Sequence, residues 1–332
     1  MPGQIKIRPI NKLFMLALNA HNRICSGLGL VFLLLFFTAS PAHAQPPNVS
    51  NQLVVTIVLS EKSGSYEEFG NALSTLLADG NSPHQVIDTT GPIPDSGLVV
   101  GVGMKAATAV AASNAPSVLN VLITKASQTK LLHDFPNRAD SQTYSAIYLD
   151  QPIHRQAHLI AAILPGKRNV GLLYSTPPNE LARIRHELNV HGLTLHEQVV
   201  GPELPLPDAL KEILLGRSEV LLALPDGVVY NDSTIRNILL ATYRRGIPLI
   251  GFSVGYVNAG ALCAMFSTPA QISTQAAALI RQFGDTHVLP APQYPHEFEV
   301  KVNETVARSL DLQVKGASEL HDEIVKEIEE AP

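Results

Sequence analysis

The feature that most constrains this chain is a hydrophobic period that switches repeatedly between two residues and about 3.6. Residues 53–59 (LVVTIVL) are a short apolar, β-branched run, 66–78 carry their apolar residues on one helical face, and 98–101 return to the strand pattern. Residues 104–113 read as helix and 118–124 (VLNVLIT) as strand. The alternation restarts after Asp150-Gln151-Pro152, with a helix to 164 that is broken by Pro165-Gly166. Strands are expected at 169–174, 193–200, 220–224, 248–252, 262–266 and 298–302, and helices at 179–191, 207–215, 234–245 and 270–283. Continuous apolar strands alternating with amphipathic helices are the pattern of βαβ units, whose parallel sheets are buried on both faces. The chain is therefore expected to be α/β, with two doubly wound parallel-sheet lobes. A length of 332 residues supports two such lobes, and 45% hydrophobic residues can fill their cores. The net charge is −5 and no basic stripe is present, so nothing matches a nucleic-acid backbone.

Residues 1–44 hold Lys6, Arg8, Lys12 and Arg23 but no acid, then an apolar run at 28–39 and the small-x-small triplet Ala42-His43-Ala44. The run of 12 residues is shorter than the ~20 of a spanning helix, which makes 1–44 a signal peptide cleaved after Ala44. A periplasmic, soluble product is expected. Its charge becomes 20 basic against 29 acidic residues, or −9, and Cys263 is its single cysteine, which rules out an internal disulfide.

Three motifs suggest chemistry and are set aside on their surroundings. Gly251-Phe252-Ser253-Val254-Gly255 matches a nucleophile elbow after a strand, with Asp285, His287 and His296 downstream, but no oxyanion segment of the HGGG type accompanies it. Gly101-Val102-Gly103-Met104-Lys105-Ala106 resembles a dinucleotide fingerprint without the acid that holds a ribose, so it reads as a close strand-to-helix turn. His154 and His158 share a helix face, yet Arg155 stands where a zincin has Glu and the sequence suggests no third ligand. No cofactor, metal or catalytic residue is expected.

What remains is a set of polar residues just beyond strand ends, where open parallel sheets bind ligands. These are Ser60, Glu61, Thr124, Lys125, Asp150, Ser175, Thr176, Asp226 and Ser253. Tyr66, Tyr174, Tyr230, Phe252 and Tyr256 fall near the same loops in a chain with only 5% aromatic residues, which suggests either an apolar or aromatic ligand wall or tyrosines packed in the cores.

At this point the sequence resembles a family, the substrate-binding proteins of ABC transporters with a type I periplasmic-binding fold, in the group akin to tryptophan- and tyrosine-binding components. The stretches that carry the resemblance are Tyr148-Leu149-Asp150-Gln151-Pro152, residues 170–175 (VGLLYS), Leu224-Pro225-Asp226 with 230–236 (YNDSTIR), 247–256 and 302–310 (VNETVARSL). The resemblance implies a three-crossing hinge, with lobe one made of 50–150 plus 253–285 and lobe two of 151–252 plus 286–312; the acidic residues of 313–332 and the four-residue spacing of Leu320, Ile324 and Ile328 read as a surface helix or frayed C-terminal tail. It implies that Ser60, Glu61, Thr124 and Asp150 face a small ligand from lobe one and the hinge. Ser175, Asn179, Asp226, Tyr230, Ser253 and Tyr256 would face it from the other side. An amino-acid-like ligand would offer its ammonium to Asp226. The expected partners are that ligand and an ABC permease. A membrane sensor kinase is the alternative partner, and a secreted hydrolase using Ser253 the remaining alternative.

Overall fold

A computed structural model describes residues 53–139 and 142–330; the expected leader lies outside them. The first lobe is a parallel sheet of β1 (Val55–Leu59), β2 (His84–Asp88), β3 (Leu98–Val102), β4 (Ser117–Ile123) and β5 (Tyr144–Tyr148), in the order β2-β1-β3-β4-β5. Helices α1 (Gly64–Asp79), α2 (Met104–Ala112) and α3 (Lys125–Asp134) connect the strands. Every residue of β1, β3, β4 and β5 is buried, as continuous apolar runs covered on both faces require. The edge strand β2 (HQVID) is half exposed and polar, which is why no strand is legible there in the sequence.

The second lobe is a six-stranded sheet in the order β11-β10-β9-β8-β6-β7. Its strands are β6 (Asn169–Tyr174), β7 (Thr194–Val199), β8 (Val220–Leu222), β9 (Leu249–Gly251), β10 (Cys263–Phe266) and β11 (Glu299–Val302). All neighbours are parallel except β10 and β11. Helices α4 (Ile153–Ile163) and α5 (Leu181–Val190) cover one face. Helices α6 (Leu206–Leu215) and α7 (Ile235–Arg244) cover the other, and α8 (Val254–Ala259) lies beside β9 and β10. The doubly wound, two-lobed α/β fold is as expected.

Two boundaries differ from expectation. Residues 253–266, assigned from the resemblance to lobe one, belong to the second sheet, because β10 pairs with β9 (Cys263 opposite Ile250) and with β11 (Cys263 opposite Val302). The apolar run of β10 suits either core, and only the pairing decides. The chain re-enters lobe one at Thr268, the N-cap of α9 (Pro269–Thr286), whose Thr268 and Gln271 form a reciprocal capping box. Helix α9 then packs along α1. The second difference is the C-terminus. After α10 (Glu304–Ser309), residues 317–330 form α11 (Ala317–Glu330), whose Leu320 and Ile324 are both 0% exposed against α4 and β11. The four-residue spacing of its apolar side chains is the buried stripe of a docked helix.

Three segments cross between lobes, at 149–152, 267–268 and 287–298. The third runs beside β5, with Gln293 exchanging backbone hydrogen bonds with Ala146 and Tyr148 at 2.9 Å. Side chains lace the three together. Gln151 Nε2 donates to Ser267 Oγ (2.8 Å), and that hydroxyl donates to the Glu297 carbonyl. The Arg155 guanidinium, buried over the Phe298 ring, donates to Gln151 Oε1, to the Pro295 carbonyl (3.0 Å) and to the His296 carbonyl (3.3 Å).

Candidate functional site

In a doubly wound sheet the ligand crevice opens at the carboxyl ends of the two neighbouring strands whose following helices go to opposite faces. In lobe one these are β1 and β3, since α1 and α2 lie in different cores. In lobe two they are β6 and β8, followed on opposite faces by α5 and α7.

The lobe-one crevice is built around a close backbone turn. Ser60, 6% exposed, donates its hydroxyl to the Val102 carbonyl (2.7 Å) and accepts the Ala106 N–H (3.0 Å), tying β1 to the first turn of α2. Its hydroxyl is committed to the backbone, and the expected role as a direct ligand contact is replaced by one of shaping the turn. Gly103, the N-cap of α2, has φ +81, and a Cβ there would lie 2.5 Å from the Tyr66 ring and 2.7 Å from Ser60 Oγ. The glycine pair thus serves a tight turn under Tyr66. Glu61 is exposed at the lip, and Met104 is exposed at the start of α2. Neither Ser63 at α1 nor Gly103 at α2 supplies a side-chain cap, and Ser60 takes only the Ala106 N–H, which leaves backbone N–H groups in the first turns of both helices without a capping side chain.

In lobe two the Ser175 N–H and hydroxyl both donate to Asp226, at 2.6 Å and 2.9 Å, and the Val228 and Val229 N–H groups donate to its other oxygen at 2.9 Å and 3.1 Å. These bonds use the carboxylate to staple the loops after β6 and β8. Asp226 therefore does not offer the open acid expected for a ligand ammonium. Tyr230 is likewise a core residue, 5% exposed and wedged against Phe252 and Tyr256, and burial pushes its hydroxyl well above the usual tyrosine value. Tyr256 packs on Phe252 with ring centroids 4.4 Å apart, and burial pushes its hydroxyl up to about 12. Ser253 is the uncapping N-cap of α8, and among the described residues it has no hydrogen bond to a His or an acid. Asn179 is exposed on the loop before α5.

The carboxyl edges of the two sheets meet at a cluster beside the hinge. Strand β4 ends in a bulge at Leu122, φ +53, which turns the chain so that Thr124 caps α3 by accepting the Ser127 N–H (3.0 Å) and Lys125 opens the helix. The Lys125 N–H donates to Asp150 (2.6 Å), linking the β4 and β5 loops; burial raises the Asp150 carboxyl above its ordinary value. The Lys125 ammonium reaches across to Glu180 at the start of α5, 2.7 Å away. Tyr294, from the third crossing, donates its hydroxyl to the other Glu180 oxygen (2.8 Å), and the ammonium lies 5.3 Å from its ring. Tyr148 stands edge-on to Tyr294 with centroids 5.3 Å apart. Burial opposes ionisation of Glu180, but the bonds from Lys125 and Tyr294 hold it below its ordinary value, so it is a charged carboxylate at neutral pH. Of the expected site residues this cluster gathers Thr124 and Asp150, with Lys125. Glu180 and Tyr294 went unmarked. Glu180 stands several residues beyond β6, one position after Asn179, and only the Pro-rich run around Tyr294 (Pro290, Pro292, Pro295) signalled an extended crossing.

Among solved structures with this fold, a substrate-binding protein with adhesive properties from Clostridium difficile, ligand-free and open, superposes with a TM-score of 0.60 at 13% identity, covering 80% of this chain and 96% of its own. A Streptococcus protein in complex with L-Trp gives a TM-score of 0.58 at 14% identity, covering 82% and 98%. A conserved domain protein from Vibrio cholerae gives 0.58 at 19% identity, covering 81% and 98%. At these identities the likeness is one of fold. A search of curated proteins returned no match. The sequence profile of the ABC transporter substrate binding proteins matches residues 90–317, from the approach to β3 through both lobes and every hinge crossing to the first residue of α11. That match spans most of the chain and the two-lobed, three-crossing architecture accounts for it: this chain belongs to the ABC transporter substrate-binding protein family.

Proposed function

We propose that the protein captures a small amino-acid-like or aromatic solute in the cleft between its lobes, closes over it by bending at the three hinge segments, and presents the closed form to an ABC permease after export to the periplasm. The observation that supports this reading is the contact of the two lobes beside the hinge through Lys125, Glu180 and Tyr294. The first turn of α1 and the first two N–H groups of α2 suit a carboxylate, Tyr66 and Met104 supply an apolar wall, and the exposed Glu61 takes the place of Asp226 as partner for an ammonium. The L-Trp held by one structural neighbour is of this chemical class. Among the described residues no helix is long and apolar enough to cross a membrane, which fits a mobile carrier rather than a channel. The reading is of binding without turnover, consistent with the lone setting of Ser253.

The test is thermal unfolding of the purified protein against amino acids, aromatic metabolites, nucleosides and sugars, because a ligand that binds only the folded form raises the midpoint by mass action. A saturable rise with an amino acid or aromatic metabolite, with the compound recovered intact, is the expected result. No rise with any compound, together with covalent labelling of Ser253 by a fluorophosphonate, would replace the proposal with a hydrolase.

A further inference from the structure

Helix α11 seats its apolar stripe on α4, and the polar margin of that interface brings together side chains from three separate elements. His158 comes from α4, His191 is the C-cap of α5, and Glu327 lies on the third turn of α11. One nitrogen of each imidazole and one oxygen of the carboxylate all lie within 4.8 Å of one another. His158 Nδ1 is buried and faces a Glu327 oxygen. His191 Nε2 is 3.7 Å from the other Glu327 oxygen, and the two rings stand edge to face at 5.4 Å. Glu323, one turn earlier on α11 and held by Lys315, places an oxygen 3.7 Å from His158 Nε2.

We propose that His158, His191 and Glu327 form a binding site for a divalent transition-metal cation of the zinc type, which clamps α11 to α4 and α5. The donor set decides the class of ion. Two imidazole nitrogens and one carboxylate suit zinc and its neighbours, whereas calcium and magnesium take oxygen ligands throughout. A tetrahedral ion with arms of ~2.0 Å needs its ligands about 3.3 Å apart, so metal binding requires the three side chains to readjust around the ion. The fourth position is open to water. Both imidazoles are only 15% exposed, so they are held in place among packed neighbours. His154, which shares the helix face of His158 in the sequence, is outside the triad. The family match ends at 317, the first residue of α11, so Glu323 and Glu327 lie beyond the matched region while His158 and His191 lie within it.

The experiment is a titration of Zn2+ into metal-stripped protein carrying no histidine tag, followed by calorimetry and thermal unfolding, with Co2+ as the optical probe of geometry. The expected result is one Zn2+ per chain, a raised unfolding midpoint, and the strong visible absorption of four-coordinate Co2+. Glu327→Gln, an exposed change that leaves the core intact, and His191→Gln each weaken Zn2+ binding by about 100-fold. His133→Gln, at an exposed position on α3, leaves it unchanged. Absence of stoichiometric Zn2+ binding, or binding that survives both Glu327→Gln and His191→Gln undiminished, overturns the site.

Discussion

At Gly103 the backbone has φ +81 and ψ 170, a region open only to glycine, and the Tyr66 ring sits where a methyl would go. Gly103→Ala is expected to lower unfolding stability by about 3 kcal/mol in urea, and to weaken solute binding as Tyr66 is displaced. A change within experimental error would show that the turn relaxes freely. Glu180 supports a prediction with a sign. Its carboxyl is held below the ordinary value of 4.5, so its contribution to stability is complete above that pH and is lost as pH falls through its lowered folded value. Asp150, raised by burial above 3.8, runs the other way: its contribution is present below 3.8 and is lost as pH rises through the raised folded value. Comparing wild type with Glu180→Gln separates the two. The wild type is expected to unfold at a higher temperature at pH 7, with the difference shrinking as the pH falls below 4.5; a difference independent of pH would place its origin elsewhere. Polar residues directly after strand ends were legible one by one from the strand pattern. Their roles were not, because whether Asp226 meets a ligand or staples Ser175 to Val228 depends on a neighbour 51 residues away.

Among the elements, α11 best shows the difference between pattern and placement. Its leucine and isoleucine spacing and its acidic residues describe an amphipathic helix, but a helix with one apolar stripe is stable only where something covers it. Here α4 and β11 do. Leu320→Ala is therefore expected to destabilise the second lobe by about 3 kcal/mol, read from urea unfolding followed by circular dichroism, whereas a frayed tail would leave the midpoint unmoved. Strand β10 makes the same point about sheets. Residues 263–266 are apolar enough for either lobe, and the hydrogen bonds to β9 and β11 that assign it to the second are invisible in the local sequence. Strand β2 escaped notice for the opposite reason. Exposed on an edge, it needs no apolar run, and its register beside β1 comes from backbone pairing.

For the molecule as a whole, the proposed closure makes the hinge and the Lys125–Glu180 pair act on one coordinate, the angle between lobes. Gln151, Arg155 and Ser267 bind the crossings to one another, while Lys125 and Glu180 hold the lobes together across the cleft. Both members of the pair are about one-third exposed, 33% and 28%, so the bridge contributes only about 1 kcal/mol. Removing it by Lys125→Met is expected to raise the open-to-closed ratio by about fivefold, seen as a larger radius of gyration in small-angle X-ray scattering, and to weaken solute binding by a similar factor. A far larger loss of affinity with no change in scattering would identify Lys125 as a direct ligand contact.

The sequence by itself determined the class of fold, because buried parallel strands must be apolar throughout and their helices amphipathic, and both periods can be read from any short window. It also determined where many of the loops after the apolar strands begin, since a continuous apolar run marks its own end, whereas β2 and β5 carried no such mark. Tertiary structure decided which sheet each strand joins, which polar groups are consumed in holding loops together, and which distant residues become neighbours. Glu180 meets Lys125, and Glu327 meets His158 and His191, only because the topology folds separate helices onto common edges. Contacts made by side chains so far apart in the chain leave no periodic trace in it, and their energetics depend on burial that exists only once the lobes have formed.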